Sequence, residues 1–360
     1  MKKKLLSIFL CAAMVGTLFA GCGSQPAADN GGNDTPDTTV DAPADNTTGG
    51  LTYAFVPKSA GNPFNEKQAE GFEQAIKSLG GTPVVQYPEA ATADAQITVI
   101  QSLISQGVAS ICVAANDANA LQAVLEEAKA AGIQVCSCDS SVNAASRATH
   151  VNQAGVDEIG LALIDAVLDI CGGEGQYAIL SATSQATNQN AWIESMKKFM
   201  ESDPKYANLE LVEVAYGDDE PQKSTDQTQA LLKNYPELKC ICAPTTVGIA
   251  AAAKVLQDQK SAVKLTGLGL PSEMEAYIGD GTDFSCPYMF LWNPIDLGAL
   301  GGYTSFALVN GDITGAEGDT FSCTLGNYTV VGADDGGTEI ILGAPFKFEP
   351  SNIAEWAQIY

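Results

Sequence analysis

From Leu51 onward the chain alternates two patterns, and that alternation limits its fold more than any other feature. Short apolar runs, "LTYAFVP", "TPVVQYP", "SICVAA" and "IQVCSCD", are bounded by Gly, Pro or Asp and read as strands. Between them, large apolar residues recur at spacings of three and four. Phe64, Phe72, Ile76 and Leu79 mark one helix face, Ile97, Ile100, Leu103 and Ile104 a second, and Leu121, Val124, Leu125 and Ala128 a third. Strand and helix in strict alternation predict a parallel sheet with helices on both faces. The pattern then restarts with "GQYAILSA", a helix through Trp192 and Met196, "LELVEVAYG", a helix through Leu231, "KCICAPTT", a helix to Gln257, and "VKLTGLGL". The expected fold is α/β, with two doubly wound units of similar size. Past Asp283 the rhythm changes to "FSCPYMFLWNPIDLG", one helix to Asn310, β-rich segments and a final helix near Trp356. Such a tail is suited to crossing back between the units.

The start of the chain is of another kind. "MKKK" precedes the apolar run "LLSIFLCAAMVGTLFA", a positive segment and a hydrophobic segment in the order of an export leader over residues 1–21. The run is short for a bilayer span and closes on small residues. "LFAGC" resembles a bacterial lipobox with Cys22 as the lipidated first mature residue, although Phe19 stands where an aliphatic residue is usual. More than one acyl chain at Cys22 would anchor the protein stably to a membrane. Residues 23–50 hold five aspartates and no aliphatic side chain larger than valine, so residues 22–50 read as anchor and disordered tether. The expected order is anchor, tether and globular body, outside the cytoplasm.

Charge and cysteine usage exclude several function classes. The net charge is −25, and removing Lys2, Lys3 and Lys4 with the leader leaves 15 basic against 43 acidic residues. A surface this acidic repels phosphate backbones, so no nucleic-acid partner is expected. Ten cysteines in an exported chain would suggest disulfides, but Cys112, Cys136, Cys138, Cys240 and Cys242 lie in apolar strand runs. They are expected to pack as small buried hydrophobes. With His150 the only histidine and no C-x-x-C, no metal site is expected, and no cofactor. Enzyme signatures are missing as well. There is no G-x-S-x-G and no P-loop, and "GGEGQY" and "TGLGLPSE" lack the dinucleotide-binding order. Asp218 and Asp219 sit in a polar loop of the solvated type.

In doubly wound sheets, ligands bind at the carboxyl ends of the strands. The first unit places Lys58, Asn62, Phe64, Asp117 and Asp139 there. The second places Asn188, Gln189, Thr245 and Thr246, with Trp292 and Asn293 at the crossover. The stretch "ILSATSQATNQNAWIESM" is unusual because its strand-to-helix turn is all hydroxyl and carboxamide. Neutral amides with one or two carboxylates, a lysine and aromatic faces suit a polyhydroxylated ligand. Each sugar hydroxyl both donates and accepts, and the C–H faces of the ring pack on Phe or Trp. Blander roles stay open: Asn188 as a helix cap, Asp139 as a turn residue, Lys58 as a solvated charge, and Trp192 as core.

The segments "SATSQATNQNAWIESMKK", "YGDD", "APTTVGIAAAA", "TGLGLPSEM" and "LWNPIDLG", in that order, resemble the type I periplasmic-binding-protein family of sugar-binding proteins from ABC transporters. The resemblance covers Leu51 to Tyr360 and looks most like the rhamnose-binding branch. It implies two Rossmann-like lobes joined by three hinge crossovers, one of residues 51–152 plus 294–326 and one of residues 153–293 plus 327–360. It also implies a monomer that closes on L-rhamnose and delivers it to an ABC permease. The autoinducer-2-binding branch shares the lysine matched by Lys58 and the aspartate matched by Asp139. That branch carries Asp-Gln where this chain has Asn188-Gln189, and Asp-Ala where it has Thr245-Thr246. Ribose-binding relatives use an arginine near Asn188 and an aspartate near Gly269, both missing here. Autoinducer-2, another deoxy-sugar or a pentose remain alternative ligands, and a membrane signalling sensor an alternative partner.

Overall fold

The computed structural model describes residues 50–360, so the expected leader, Cys22 and nearly all of the tether lie outside the described residues. The first part of the body runs β1 (Thr52–Val56), α1 (Pro63–Ser78), β2 (Thr82–Val85), α2 (Ala93–Gln106), β3 (Ser110–Val113), α3 (Gln122–Ala130), β4 (Gln134–Cys138) and β5 (His150–Asn152). The second runs α4 (Val156–Ile170), β6 (Gly175–Ser181), α5 (Thr187–Ser202), β7 (Leu209–Tyr216), α6 (Pro221–Asn234), β8 (Leu238–Ala243), α7 (Thr246–Asp258), β9 (Lys264–Gly267) and α8 (Pro271–Met274). The tail holds β10 (Met289–Leu291), α9 (Pro294–Asn310), β11 (Thr320–Cys323), β12 (Gly326–Thr329), β13 (Val331–Gly332), β14 (Thr338–Ile341), β15 (Phe346–Phe348) and α10 (Ile353–Trp356).

A seven-stranded sheet has the order β13-β14-β5-β4-β3-β1-β2 and a four-stranded sheet the order β7-β6-β8-β9. All pairings in both are parallel except β13 with β14. Helices cover both faces, so β3 is buried along its whole length, and β1 is buried except at its first residue. That double burial is why these strands read as continuous apolar runs. β5 and α4 fall outside the sequence expectation. β5 is three residues long and too short to show a period, yet it ends the first unit's run of strands, and α4 opens the second.

Helix ends follow local chemistry. Asn62 caps α1 by accepting from Phe64 N at 3.0 Å, with Pro63 in the first turn. Asn293 caps α9 by accepting from Ile295 N at 2.9 Å, and Gly311 ends that helix at φ 75°. α1 and α9 meet almost backbone to backbone. A Cβ on Gly71 would lie 1.9 Å from Ile295 O, and one on Gly298 1.8 Å from Gln68 O, so only glycine fits either position. This contact packs the tail helix α9 onto the first unit.

One expected boundary is corrected. Residues 327–360 were expected to return to the second lobe, but β14 extends the first sheet, with Ile340 opposite Val151 of β5. The chain rejoins the second unit only at β15, which pairs antiparallel with β10. β10 in turn lies beside the end of β9 through a Leu268–Phe290 bridge. The third crossing therefore falls between Ile341 and Phe346. The pairing of β14 with β5 spans nearly 190 positions, and nothing local in "TEII" selects its sheet.

The eight described cysteines are free thiols, seven of them buried. Cys136 and Cys138 point the same way, toward α1 and α9. Cys136 Sγ lies 3.3 Å from Ser305 Oγ, and Gln68 Nε2 donates to Cys138 Sγ at 3.4 Å. Burial raises the Cys242 thiol to about 12, as expected for a packed side chain rather than a reactive one.

Candidate ligand-binding site

The carboxyl ends of the two sheets face each other, and the loops and helix starts beyond them enclose a cavity. The empty space there, open solvent at its mouth included, is about 390 Å³. Lys58, Asn62, Phe64 and Asp139 line it from the first unit; Asn188, Gln189, Thr245 and Thr246 line it from the second, and Trp292 from the crossover.

Two expected residues do not reach it. Asp117 Oδ1 accepts from Asn119 N and Ala120 N, both at 2.9 Å, and so fixes the turn before α3. Its side chain faces a separate outer cleft lined by Thr183, Ser184 and Gln185, so the first half of the polar turn also lies away from the cavity. Asn293 is consumed by α9. Besides capping, its amide donates to Asp296 Oδ2 at 2.8 Å. Both ends of the Asn293 amide are thus spent on the helix start, whereas Asn62 caps α1 with Oδ1 alone and still lines the cavity.

Asn188 is not a cap. Its Oδ1 accepts from Lys58 Nζ at 2.8 Å, and its Nδ2 lies 3.4 Å from Asp139 Oδ1. Lys58 Nζ is also 3.7 Å from Asp139 Oδ2. These three side chains close a ring across the cleft. Asp139 sits just past β4 at φ 66°, a left-handed backbone that Asp tolerates better than most residues, and this turns its carboxylate into the cavity. Burial pushes the Asp139 carboxyl above the usual carboxylate range, partly offset by the Lys58 charge.

The sequence pattern missed three polar or aromatic wall residues: Asn65, Trp192 and Asp219. Trp192 follows Asn188 by four, so both share one face of α5, and that spacing was a readable signal. Asp219 was expected in solvent. Instead it accepts a hydrogen bond from Thr245 Oγ1, and burial raises its carboxyl. Asn65 braces the loop after β1, donating to Ser59 O at 3.1 Å.

The cavity wall is part aromatic and part polar. Trp292 packs edge-on to Phe64 at 6.3 Å and to Trp192 at 5.7 Å, forming an aromatic wall. The rest of the lining is mainly polar, with the carboxylates of Asp139 and Asp219 and the amides of Asn62, Asn65, Asn188 and Gln189. Trp292 Nε1 and Gln189 Oε1 are buried without a protein hydrogen-bond partner, one a donor and the other an acceptor. A ligand with an apolar face and several hydroxyls matches both parts. Among the described residues, no cluster of His, Cys, Asp and Glu could hold a metal ion, and no helix is long and apolar enough to cross a membrane.

Comparison with known proteins agrees with this architecture. The periplasmic binding protein domain family matches residues 53–313. An ABC transporter solute binding protein from Clostridium phytofermentas, solved with bound L-rhamnose, is 60% identical, with a TM-score of 0.85 over 86% of this chain and 99% of that one. A sugar ABC transporter from Actinomyces odontolyticus is 36% identical, with a TM-score of 0.68 over 85% of this chain and 97% of that one. LsrB from Clostridium saccharobutylicum, in complex with AI-2, is 23% identical, with a TM-score of 0.79 over 85% and 99%, a likeness of fold. The chain belongs to the periplasmic binding protein family and is a solute-binding protein of the sugar ABC-transporter type.

Proposed function

We propose that this chain captures L-rhamnose outside the cytoplasm and delivers it to an ABC permease, working as a monomer held to the membrane by lipidated Cys22. The observation that carries the ligand is the 60% identical relative with bound L-rhamnose, whose likeness spans nearly the whole globular body. The cavity's chemistry supports it. A 6-deoxyhexose has hydroxyls for the carboxylates and amides and a methyl group for the aromatic wall. Lys58, Phe64 and Asp139 hold the sugar from one lobe; Asn188 and Gln189 hold it from the other, where Thr245 also lines the cavity.

The mechanism is hinge closure. Only a ligand that touches both lobes at once favours the closed arrangement over the open one. Once the cleft is shut, the sugar's hydroxyls replace water around Asp139, and an analogue missing one leaves a buried polar group unpaired. Calorimetric titration of the purified protein, kept under reductant, tests the reading. Saturable one-to-one heat with a dissociation constant of about 1 μM or tighter supports L-rhamnose. No heat with L-rhamnose, but binding of autoinducer-2 or another deoxy-sugar, overturns it. Mass spectrometry of the mature N-terminus tests the anchor, since an unmodified or absent Cys22 would exclude it.

A further inference from the structure

The loop after β7 is the one part of the cavity wall built from strained backbone on both of its central residues. Asp218 and Asp219 both adopt φ 54°, the left-handed region that non-glycine residues rarely occupy. The loop is held in that shape from below. Gly217 N donates to Ser181 O at 2.9 Å and Asp218 N to Ala182 O at 3.2 Å, which ties it to the end of β6. Strain that the surrounding structure enforces in this way marks a side chain that has to be aimed. Asp218 is turned outward, paired with Lys223. Asp219 is turned inward, onto the cavity.

Its surroundings suggest a division of labour with Thr245. The Thr245 hydroxyl donates to Asp219 Oδ1. A hydroxyl has one hydrogen, so Thr245 cannot donate to a ligand at the same time. Asp219 Oδ2 has no hydrogen-bond partner among the described residues and is open to the cavity. Resting on the sugar-binding reading above, we propose that Asp219 is a ligand-binding residue, the second lobe's acceptor for a sugar hydroxyl, and that Thr245 is a positioning residue that fixes its carboxylate. The site then carries one carboxylate from each lobe, Asp139 and Asp219, with Lys58 between them. A sugar whose hydroxyls donate to both joins the lobes, while the two carboxylates alone repel across the cleft.

The test is titration of L-rhamnose and its monodeoxy analogues against four forms of the protein: wild type, Asp219→Asn, Thr245→Val and Thr245→Ser. Asparagine tolerates the left-handed backbone, so Asp219→Asn keeps the loop and removes the charged acceptor. Expected is at least about tenfold weaker L-rhamnose binding for Asp219→Asn, the scale of a hydrogen bond to a charged group. Thr245→Val is expected to weaken binding several-fold, and Thr245→Ser to restore it. One monodeoxy analogue should lose affinity on wild type yet show no further loss on Asp219→Asn, a coupling that a purely structural role would not produce. If Asp219→Asn fails to fold, Asp219→Gly, which accepts the same backbone freely, is measured against the same analogues. Asp219 variants that bind L-rhamnose like wild type, or that lose equally to every analogue, overturn this inference alone. Wild-type protein that gives no heat with L-rhamnose, L-fucose or D-ribose overturns it together with the sugar-binding reading.

Discussion

Lys58 Nζ donates a 2.8 Å hydrogen bond to Asn188 Oδ1, joining the loop after the first strand to a helix 130 positions later. Each partner also contacts Asp139, at 3.7 Å from Lys58 and 3.4 Å from Asn188. The link is therefore a shared network, and the lobes touch through the same side chains that face the cavity. A neutral amide suits this place. It accepts from the lysine with one end and donates toward the carboxylate with the other, which no acidic side chain can do.

On the proposed L-rhamnose reading, Asn188→Asp should therefore weaken binding of that sugar. It sets a second carboxylate beside Asp139, exchanging a donor for a like charge. A loss of about tenfold is expected, on the scale of one hydrogen bond to a charged group. Titration calorimetry reads it, and unchanged affinity would remove Asn188 from the network.

Asp139→Asn should cost more, about 100-fold, because it strips the charge that balances Lys58 inside a buried site. Asparagine keeps the left-handed turn at φ 66°, so the thermal unfolding midpoint without ligand should move by only a few degrees. Loss of binding with an intact melt identifies Asp139 as a ligand contact. Loss of both would make it a structural residue.

Trp292 and Trp192, 5.7 Å apart, should both report ligand entry through a change in tryptophan fluorescence. Trp292→Phe should remove most of that change. It should also weaken binding about fivefold, since it keeps the apolar wall but deletes the unpartnered Nε1 donor. A ligand-dependent signal that survives intact in Trp292→Phe would place the reporting tryptophan elsewhere.

The fold was legible because a parallel sheet buried on both faces writes itself as apolar runs, and its helices write a three-four repeat. β14 was not legible, because it joins β5 through non-local backbone pairing that leaves no trace in four residues. The site was legible where strand ends carry one polar residue with no local task, as with Lys58 and Asp139. It failed at Asp117 and Asn293, where an equally polar residue spends its hydrogen bonds on its own turn or helix start. It failed in the opposite sense at Asp219. Two adjacent aspartates look solvated in sequence, and only the left-handed backbone sends one outward to Lys223 and the other inward to Thr245.

His150 should make the protein acid-sensitive. It is buried at the start of β5, with Nδ1 2.9 Å from Ser137 Oγ, and burial, reinforced by the Arg147 charge, lowers its pKa to about 3. The unfolded chain binds a proton near 6.5, well before the folded one does. Between those values the unfolded state holds more protons, so stability rises with pH and is lost as pH falls from about 6.5 toward about 3. The cost accrues at up to about 1.4 kcal/mol per pH unit. Thermal melts of wild type and His150→Gln at pH 7, 6, 5 and 4 check it: the wild-type midpoint should fall more steeply, and parallel curves would count against it.

The α1–α9 contact should tolerate no side chain. Gly71→Ala and Gly298→Ala each drive a methyl into a backbone carbonyl of the facing helix, at 1.9 and 1.8 Å. The obstacle is main chain, so a rotamer change cannot relieve it, and the helices must separate along their length. Overpacking of this kind costs about 1–3 kcal/mol or more. Phe64 lies in the first turn of α1 and Trp292 just before the Asn293 cap of α9, so separation would also shift the edge-on contact of those rings. Each variant should therefore melt several degrees below wild type and bind L-rhamnose more weakly. Gly107→Ala, at the open end of α2, is the control. Its Cβ meets nothing within 4 Å, and its cost is confined to the left-handed backbone at φ 66°. If Gly71→Ala melted no lower than Gly107→Ala, the two helices would not be in backbone contact in solution.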